Sequence, residues 1–150
     1  MSEEGSMVEE SAESFYRSIM LRRVDGSTVS ADIEGVEDDS TVESVARLTL
    51  RFSDRVVEAS SERGFFDALR IVRVTLEKEG ILLCCFGGGE NVYPSPMQES
   101  MGFARLAYRN ELGRQASSSD IVDIFDTDDS VRPATVEQQE DFHKRWLSSL

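Results

Sequence analysis

Apolar and polar side chains alternate along much of the first sixty residues of the chain. The spacing is clearest in residues 28–34 and 46–52, and a shorter apolar run follows at 56–59. An apolar side chain at every second position predicts a β-strand with one buried face. A first ordered strand is predicted to begin near Phe15. The apolar positions of the first three strands are Ile19, Leu21, Val24, Val29, Ala31, Ile33, Ala46, Leu48, Leu50 and Phe52.

Short connections join these strands. They include the hairpin signal Asp25-Gly26 and the turn Ser53-Asp54. Strands that are joined by short connections usually lie side by side and run antiparallel. The pattern therefore predicts an N-terminal antiparallel meander.

The apolar spacing lengthens to three and four between residues 60 and 79, which predicts a long helix that covers the sheet. Ser60 or Ser61 is the candidate N-cap, and Gly80 is placed to end the helix. The residues predicted to face the sheet are Phe65, Phe66, Leu69, Val72 and Leu76.

A glycine triplet follows the next apolar run. Ile81–Phe86 is predicted to be a buried strand, and residues 87–89 are all glycine, which permits positive φ and close approach of another group to the backbone. A strand followed by glycines also suggests a phosphate-binding loop. Glu90 comes next, however, and no lysine lies nearby, so the nucleotide-binding fingerprints are not met.

A second turn region follows at residues 93–102. Ser95 and Gln98 fit a capping box around Pro96, and Gly102 is placed to stop a short helix in the left-handed conformation. Tyr93, Met97 and Met101 either form an exposed apolar patch or pack this turn onto the sheet. A further strand is then predicted, with Ala104, Leu106 and Tyr108 on its buried face.

The C-terminal part of the chain alternates acidic loops with apolar segments. Residues 121–126 fit a strand or a short helix equally well. Thr135 is predicted to open a C-terminal amphipathic helix, with Gln138 as its capping-box partner. The predicted apolar face of that helix consists of Val136, Phe142 or His143, Trp146, Leu147 and Leu150.

Together these elements predict the α+β class. We expect an antiparallel sheet of about five or six strands, a long helix packed on it and a C-terminal amphipathic helix. Residues 14–150 are expected to form a single domain, because no linker or repeat divides them. Residues 1–13 are rich in Glu and Ser and are expected to be a solvated acidic tail.

The composition indicates what kind of partner the protein can bind. The 150 residues carry a net charge of −13, and only Lys78 and Lys144 are lysines. Such a charge opposes binding to nucleic acids and anionic membranes, and it favours a basic protein partner. The N-terminal residues contain no apolar segment of the kind found in signal peptides, so we expect a cytoplasmic protein.

Few residues are available for catalysis or for a cofactor. Cys84, Cys85 and His143 are too few to form the usual zinc site of four ligands. His143 is the only histidine and lies within the predicted amphipathic helix, where we expect it to be packed rather than catalytic. The sequence selects no pair of carboxylates for glycoside hydrolysis. We therefore expect a protein that is not an enzyme and that uses no cofactor.

Acidic residues cluster in three segments, at residues 37–39, 120–129 and 137–141. The second could hold a divalent cation, but its spacing does not match an EF-hand, so a metal-dependent module is only an alternative. These acidic segments and the turn region supply the predicted partner-binding residues. They are Glu37, Asp38, Asp39, Glu90, Tyr93, Met97, Asp123, Asp126, Asp128 and Asp129.

Two C-terminal stretches carry a family resemblance. GGGENVYPSPMQESMGFARLAY and IFDTDDSVRPATVEQQEDFHKRWLSSL resemble immunity proteins from bacterial polymorphic-toxin loci of the Rhs or contact-dependent type. The resemblance covers about the C-terminal half and implies neutralisation of a cognate toxin, without assigning a role to any residue. In size and charge the chain also resembles type III secretion chaperones, and a DNA mimic would share the same acidity. The primary hypothesis is a non-enzymatic binding protein.

Overall fold

The computed structural model describes residues 14–38, 44–100 and 102–150. The predicted acidic tail at 1–13 lies outside these residues. The fold is α+β, as predicted, with five strands in one antiparallel sheet and three in a second sheet within the described residues. The strands are β1 Ser14–Arg22, β2 Thr28–Asp38, β3 Val45–Phe52, β4 Arg55–Ser61, β5 Leu82–Leu83, β6 Val92–Tyr93, β7 Leu106–Arg109 and β8 Ile121–Asp123. The helices are α1 Phe65–Glu77, α2 Pro96–Ser100 and α3 Val136–Ser148.

The larger sheet confirms the predicted meander. Its strand order is β4-β3-β2-β1-β5, and every neighbouring pair is antiparallel. Gly26 turns the first hairpin with a φ of +87°, a conformation that glycine adopts without steric cost. The alternate residues of β2 and β3 that were predicted to face inward lie against α1 or the rest of the core. Val24 is the exception, because it stands in the exposed hairpin turn.

Helix α1 begins later than predicted. Ser60 and Ser61 pair with β3 as the last residues of β4, so neither is free to cap the helix. Gly64 is the N-cap residue instead, with a φ of +113°. A side chain there would place its Cβ 2.6 Å from the carbonyl oxygen of Phe103, so a glycine is required on both grounds. The five predicted core residues of α1 are buried, and Gly80 follows the helix with a φ of +76°.

The predicted strand at Ile81–Phe86 is much shorter in the structure. Within this run only the two residues of β5 pair with β1, and residues 86–88 form a 3₁₀ turn. The chain leaves the sheet because the backbone amides of Phe86 and Gly87 donate to the carbonyls of Asp126 and Ile124 at 2.8 Å. The glycine triplet allows the predicted close approach, since a Cβ at Gly88 would lie 2.6 Å from the carbonyl oxygen of Leu83.

The smaller sheet has the order β6-β7-β8. Its central strand faces opposite to the prediction, because Ala107 is fully buried whereas Leu106 is 48% exposed. The reason is that Phe103 and Ala104 have φ values of 59° and 54°, and this left-handed turn interrupts the alternation before β7 begins. The ambiguous segment 121–126 starts as strand β8 and continues as a turn.

Both predicted capping boxes are present. Ser95 and Gln98 exchange backbone-to-side-chain hydrogen bonds of 2.8 and 3.1 Å around the start of α2. Thr135 and Gln138 do the same at the start of α3, at 2.9 and 3.1 Å. Capping of this kind satisfies amide groups that the first helical turn leaves without partners.

The buried face of α3 differs from the predicted one. Gln139 and Phe142 are its buried residues, and Leu147 and Leu150 are exposed. Gln139 is buried because its side-chain amide donates to the carbonyls of Gly87 and Gly89 at 3.1 and 2.8 Å. No helix in the described ranges is both long and apolar enough to span a membrane.

A buried guanidinium links α1 to α3. Arg73 is 2% exposed and donates to the carbonyls of Gly87 and Ala134 at 3.0 Å and to the side-chain oxygen of Gln139 at 2.7 Å. Burial lowers the pKa of Arg73, although the nearby carboxylate of Glu77 acts in the opposite direction. These contacts fix the spacing between the two helices, which form the walls of the candidate site.

An aromatic cluster connects the two sheets. Phe15 of β1 lies 5.2 Å from Phe65 of α1 and 4.6 Å from Phe125, which follows β8, measured between ring centroids. Phe65 also lies 6.0 Å from Phe103. Gly35 faces Phe15 across the β1–β2 pair, and any Cβ at residue 35 would lie 2.2 Å from that ring. The large aromatic ring therefore occupies the space that the glycine leaves open.

Candidate partner-binding groove

An open groove runs between α1 and α3, with β6 at its base. Its volume is about 620 Å³, which is within the range of typical ligand-binding clefts, about 300–1,000 Å³. Ile71 and Val74 lie outside the buried face of α1 and are therefore 44% and 45% exposed. Both line the groove. The lining residues of this α1–α3 groove are Asp67, Arg70, Ile71, Val74, Thr75, Tyr93, Val136 and Glu140.

A polar network crosses the base of the groove. Arg70 forms an ion pair with Asp67 at 3.2 Å and a second, shorter one with Glu140 of α3. The hydroxyl of Tyr93 donates to the same oxygen of Glu140, Oε2, at 2.9 Å. Asp67 also accepts from the hydroxyl of Ser61 at 2.8 Å. The two helices and both sheets therefore contribute to one set of connected charged and polar groups.

The pKa values of two members of the network, Tyr93 and Arg70, are raised. Burial raises the pKa of Tyr93 to about 12, and the hydrogen bond and negative charge of Glu140 act in the same direction. Tyr93 is therefore a neutral donor at physiological pH. Burial alone would lower the pKa of Arg70, but the carboxylates of Glu140 and Asp67 outweigh it and raise the pKa. The network thus holds one fixed cation between two carboxylates.

A column of aromatic rings supports Tyr93 from below. His143 stacks on Tyr93 with ring centroids 3.7 Å apart, and Trp146 stacks on His143 at 5.9 Å. Phe66 also meets Tyr93 edge-on, with ring centroids 5.2 Å apart. The stacking holds Tyr93, and through its hydroxyl the Glu140 carboxylate, in a fixed position.

His143 is packed, as the sequence indicated. Its Nδ1 atom is buried and has no hydrogen-bond partner, and burial lowers the pKa of the ring despite the opposing charge of Glu140. Nucleophilic catalysis would require a hydroxyl or thiol hydrogen-bonded to the imidazole. The structure shows no such bond to His143 within the described residues.

The surroundings of the groove carry more negative than positive charge. Its lining contains the carboxylates of Asp67 and Glu140 and the single guanidinium of Arg70. The charge of Glu99, on α2, also acts on Tyr93 and raises its pKa. The groove therefore combines an apolar rim with an acidic base, a combination that favours a ligand with both apolar and cationic groups.

The partner-binding residues predicted from the sequence do not form one site. Tyr93 lines the groove, Met97 is exposed on α2, and Glu37 and Asp38 lie at the end of β2. Asp39 lies outside the described residues, as does Met101. Each of the two alternatives for the turn region therefore holds for one residue. Tyr93 packs against other rings, whereas Met97 is 69% exposed.

Most of the predicted acidic residues are paired with arginines of the same chain. The shortest N–O distances are 2.9 Å for Asp38–Arg47, 3.0 Å for Asp123–Arg105, 3.4 Å for Asp126–Arg17, 3.8 Å for Asp128–Arg109 and 3.4 Å for Glu90–Arg132. Asp129 is exposed and has no ion pair in the part of the chain that is described. Within the same residues, no group of three or more His, Cys, Asp or Glu side chains is arranged to hold a metal ion.

Sequence reasoning missed Asp67, Arg70, Ile71 and Val74. The contact between Arg70 and Glu140 joins residues 70 positions apart, so local patterns contain no sign of it. One signal was available, since Ile71 and Val74 interrupt the polar face of an amphipathic helix.

Comparison with known proteins does not assign the chain to a family. No known protein family matches the chain, and no curated protein sequence matches it significantly.

Proposed function

We propose that the protein is a non-enzymatic binding protein that neutralises a basic protein partner, in the way that an immunity protein neutralises a toxin in the bacterial cytoplasm. The observation that carries the proposal is the α1–α3 groove, in which exposed Ile71 and Val74 border the carboxylates of Asp67 and Glu140. Interfaces of this kind use an apolar centre for affinity and surrounding charge for orientation.

The overall charge supports the same kind of partner. A net charge of −13 attracts a basic protein from a distance and accelerates association. The arginines paired with the predicted acidic residues do not prevent this, because their ion pairs are partly exposed to solvent. Exposed pairs contribute only about 0–1 kcal/mol each, so their carboxylates can re-pair with a partner at little cost.

The test uses the protein encoded beside this one, expressed with and without the present chain. We expect the neighbouring protein to inhibit growth, co-expression to restore growth, and the two purified proteins to bind with a rate that falls as salt is raised. A neighbouring protein that is harmless, or that fails to bind, would contradict a toxin-neutralising role.

A matched pair of variants tests whether the groove is the binding surface. Val74→Lys places a positive charge in the groove, and Val56→Lys places the same charge on β4 at a valine of similar exposure, 58% against 45%. Like charges at an interface cost several kcal/mol, so we expect Val74→Lys to weaken binding by about 100-fold, which corresponds to about 2.7 kcal/mol. Val56→Lys should change affinity by less than about threefold. If the two variants weaken binding equally, the groove is not the binding surface.

The same purified proteins distinguish toxin neutralisation from two related functions. A DNA mimic would bind a nucleic-acid-binding protein, and duplex DNA would compete with it for that protein. A secretion chaperone would form a stable dimer and hold an extended segment of its client, which light scattering and proteolysis of the complex would detect. Either result would replace the proposal of toxin neutralisation.

A further inference from the structure

The two oxygens of the Glu140 carboxylate have different surroundings. Oε2 accepts hydrogen bonds from both Arg70 and Tyr93, whereas Oε1 has no hydrogen bond or ion pair within the described residues. A carboxylate can accept about four hydrogen bonds, two at each oxygen. The side chain is 31% exposed, and Oε1 is not one of the buried polar atoms that lack a partner, so the protein does not close it off. Glu140 therefore has an unused acceptor beside the groove.

Arg70 and Tyr93 hold this carboxylate in place. Tyr93 is fixed by the stack on His143, and its pKa of about 12 keeps the hydroxyl protonated and able to donate. An acceptor that is already oriented loses little conformational entropy when a ligand binds. The Glu140 carboxylate is therefore preorganised to receive one more donor.

The charge balance favours a cationic donor. The groove lining holds two carboxylates and one guanidinium, so one more cation would neutralise it. A hydrogen bond between ionised groups is about twice as strong as one between neutral groups. An anionic side chain would instead meet the repulsion of Asp67, Glu140 and Glu99.

The apolar rim determines which kind of side chain can lie next to the cationic group of the ligand. Ile71, Val74 and Val136 line the groove together with the polar residues, and the first two are nearly half exposed. Covering the exposed part of each side chain would add to the affinity. A ligand with an apolar side chain next to the cationic one can make both kinds of contact.

We infer that the groove binds an arginine or lysine of the partner that lies next to an apolar residue, with the Glu140 carboxylate as the group that pairs with the cation. This inference rests on the proposed function and specifies the chemistry that the groove recognises. Arg70 and Tyr93 act as positioning residues, since each contacts Glu140 and orients it.

The probe for this inference is a blocked dipeptide, acetyl-Leu-Arg-amide, titrated into the full chain and followed by NMR. The control dipeptide replaces arginine with citrulline, which has nearly the same shape but no charge. We expect shifts of the Ile71 and Val74 methyl resonances, and we expect citrulline to bind at least about tenfold more weakly, or about 1.4 kcal/mol. Trp146 is the only tryptophan and lies in the stack below Tyr93, so its fluorescence gives a second readout.

Two variants connect the preference to Glu140. Glu140→Gln should abolish the difference between arginine and citrulline, whereas Glu58→Gln, an exposed position on β4, should leave it unchanged. If Glu140→Gln does not fold, Val74→Lys replaces it and should weaken the arginine dipeptide more than the citrulline one, because its charge repels only the former. Equal affinity for the two dipeptides, or shifts away from the groove, would overturn the inference.

The outcomes for the inference and for the proposed function are distinguishable. A toxic partner whose binding is sensitive to Val74→Lys, together with no arginine preference, would leave the function standing and remove the inference. An arginine preference without any basic protein partner would establish the cation site and refute the function.

Discussion

The glycine triplet at residues 87–89 offers a direct test of how tightly this fold is packed. Gly88 and Gly89 are neighbours, both are buried, and neither has a positive φ. They differ in the space around them. A Cβ at Gly88 would lie 2.6 Å from the backbone oxygen of Leu83, whereas one at Gly89 would lie 3.2 Å from its nearest neighbour, the oxygen of Phe86.

The distances give the expected sizes of the two effects. An ordinary contact begins near 3.4 Å, so Gly88→Ala must move the backbone by roughly 0.8 Å, and Gly89→Ala by roughly 0.2 Å. The larger shift disturbs the 3.0 Å hydrogen bond from the amide of Ala134 to Gly88. Overpacking costs about 1–3 kcal/mol and a weakened hydrogen bond about 1 kcal/mol. We therefore expect Gly88→Ala to lower the free energy of unfolding by about 3 kcal/mol.

Gly89→Ala is the matched control. Its backbone angles, φ −86° and ψ 148°, suit alanine. Alanine also restricts the unfolded chain, which stabilises the folded protein by about 0.4–1 kcal/mol. We expect this gain and the slight crowding to cancel within about 1 kcal/mol.

Urea unfolding followed by Trp146 fluorescence measures both variants. With an m-value of about 1.5 kcal/mol/M, a loss of 3 kcal/mol lowers the midpoint by about 2 M, far outside experimental error. If Gly88→Ala and Gly89→Ala have equal stabilities, the close approach of residue 88 to Leu83 does not limit the packing.

Three further predictions concern single residues. Arg73→Met leaves the buried carbonyl of Ala134 and the side-chain oxygen of Gln139 without donors and should cost about 3 kcal/mol of unfolding free energy. Thr135→Ala removes the N-cap of α3 and should cost about 1 kcal/mol. Burial lowers the pKa of His143 below its value in the unfolded chain, so the unfolded state takes up the proton first and stability should fall as pH drops below about 6.5.

Each of these predictions has a control. Arg51→Met removes an exposed ion pair and should cost less than about 1 kcal/mol, and Thr75→Ala removes an exposed mid-helix hydroxyl that caps nothing and should be close to neutral. His143→Phe keeps an aromatic ring in the stack and should remove the pH dependence above pH 5. A variant that retains that dependence would show that another group causes it.

The strands of the larger sheet could be predicted because one face of that sheet is buried. Ala31, Ile33, Leu48 and Leu50 all lie in the buried core, so burial selects apolar residues at alternate positions and leaves a period of two in the sequence. Both capping boxes were equally visible, because capping depends on residues only three positions apart.

The sequence-based predictions were wrong where contacts between residues far apart in the sequence determine the local structure. Amide bonds to Asp126 and Ile124 end β5 early, although the run Ile81–Phe86 is apolar throughout. The left-handed conformations of Phe103 and Ala104 reverse the facing of β7, and neither residue type normally announces such a turn.

The groove could not be predicted for a similar reason. Its charged base depends on the contact of Arg70 with Glu140, and its position depends on the guanidinium of Arg73 that holds α3 against α1. Composition indicated a basic partner but not a place for it, and the acidic segments that it highlighted proved to be paired with arginines of the same chain.

The aromatic cluster of Phe15, Phe65 and Phe125 has a consequence for how the protein unfolds. Its rings come from the larger sheet, from α1 and from the chain just after β8, so neither half of the polypeptide possesses a complete interior. We expect cooperative melting in one step, with calorimetric and van't Hoff enthalpies in agreement. Severing the chain near residue 80 should yield two fragments that remain unstructured alone and regain structure only when mixed.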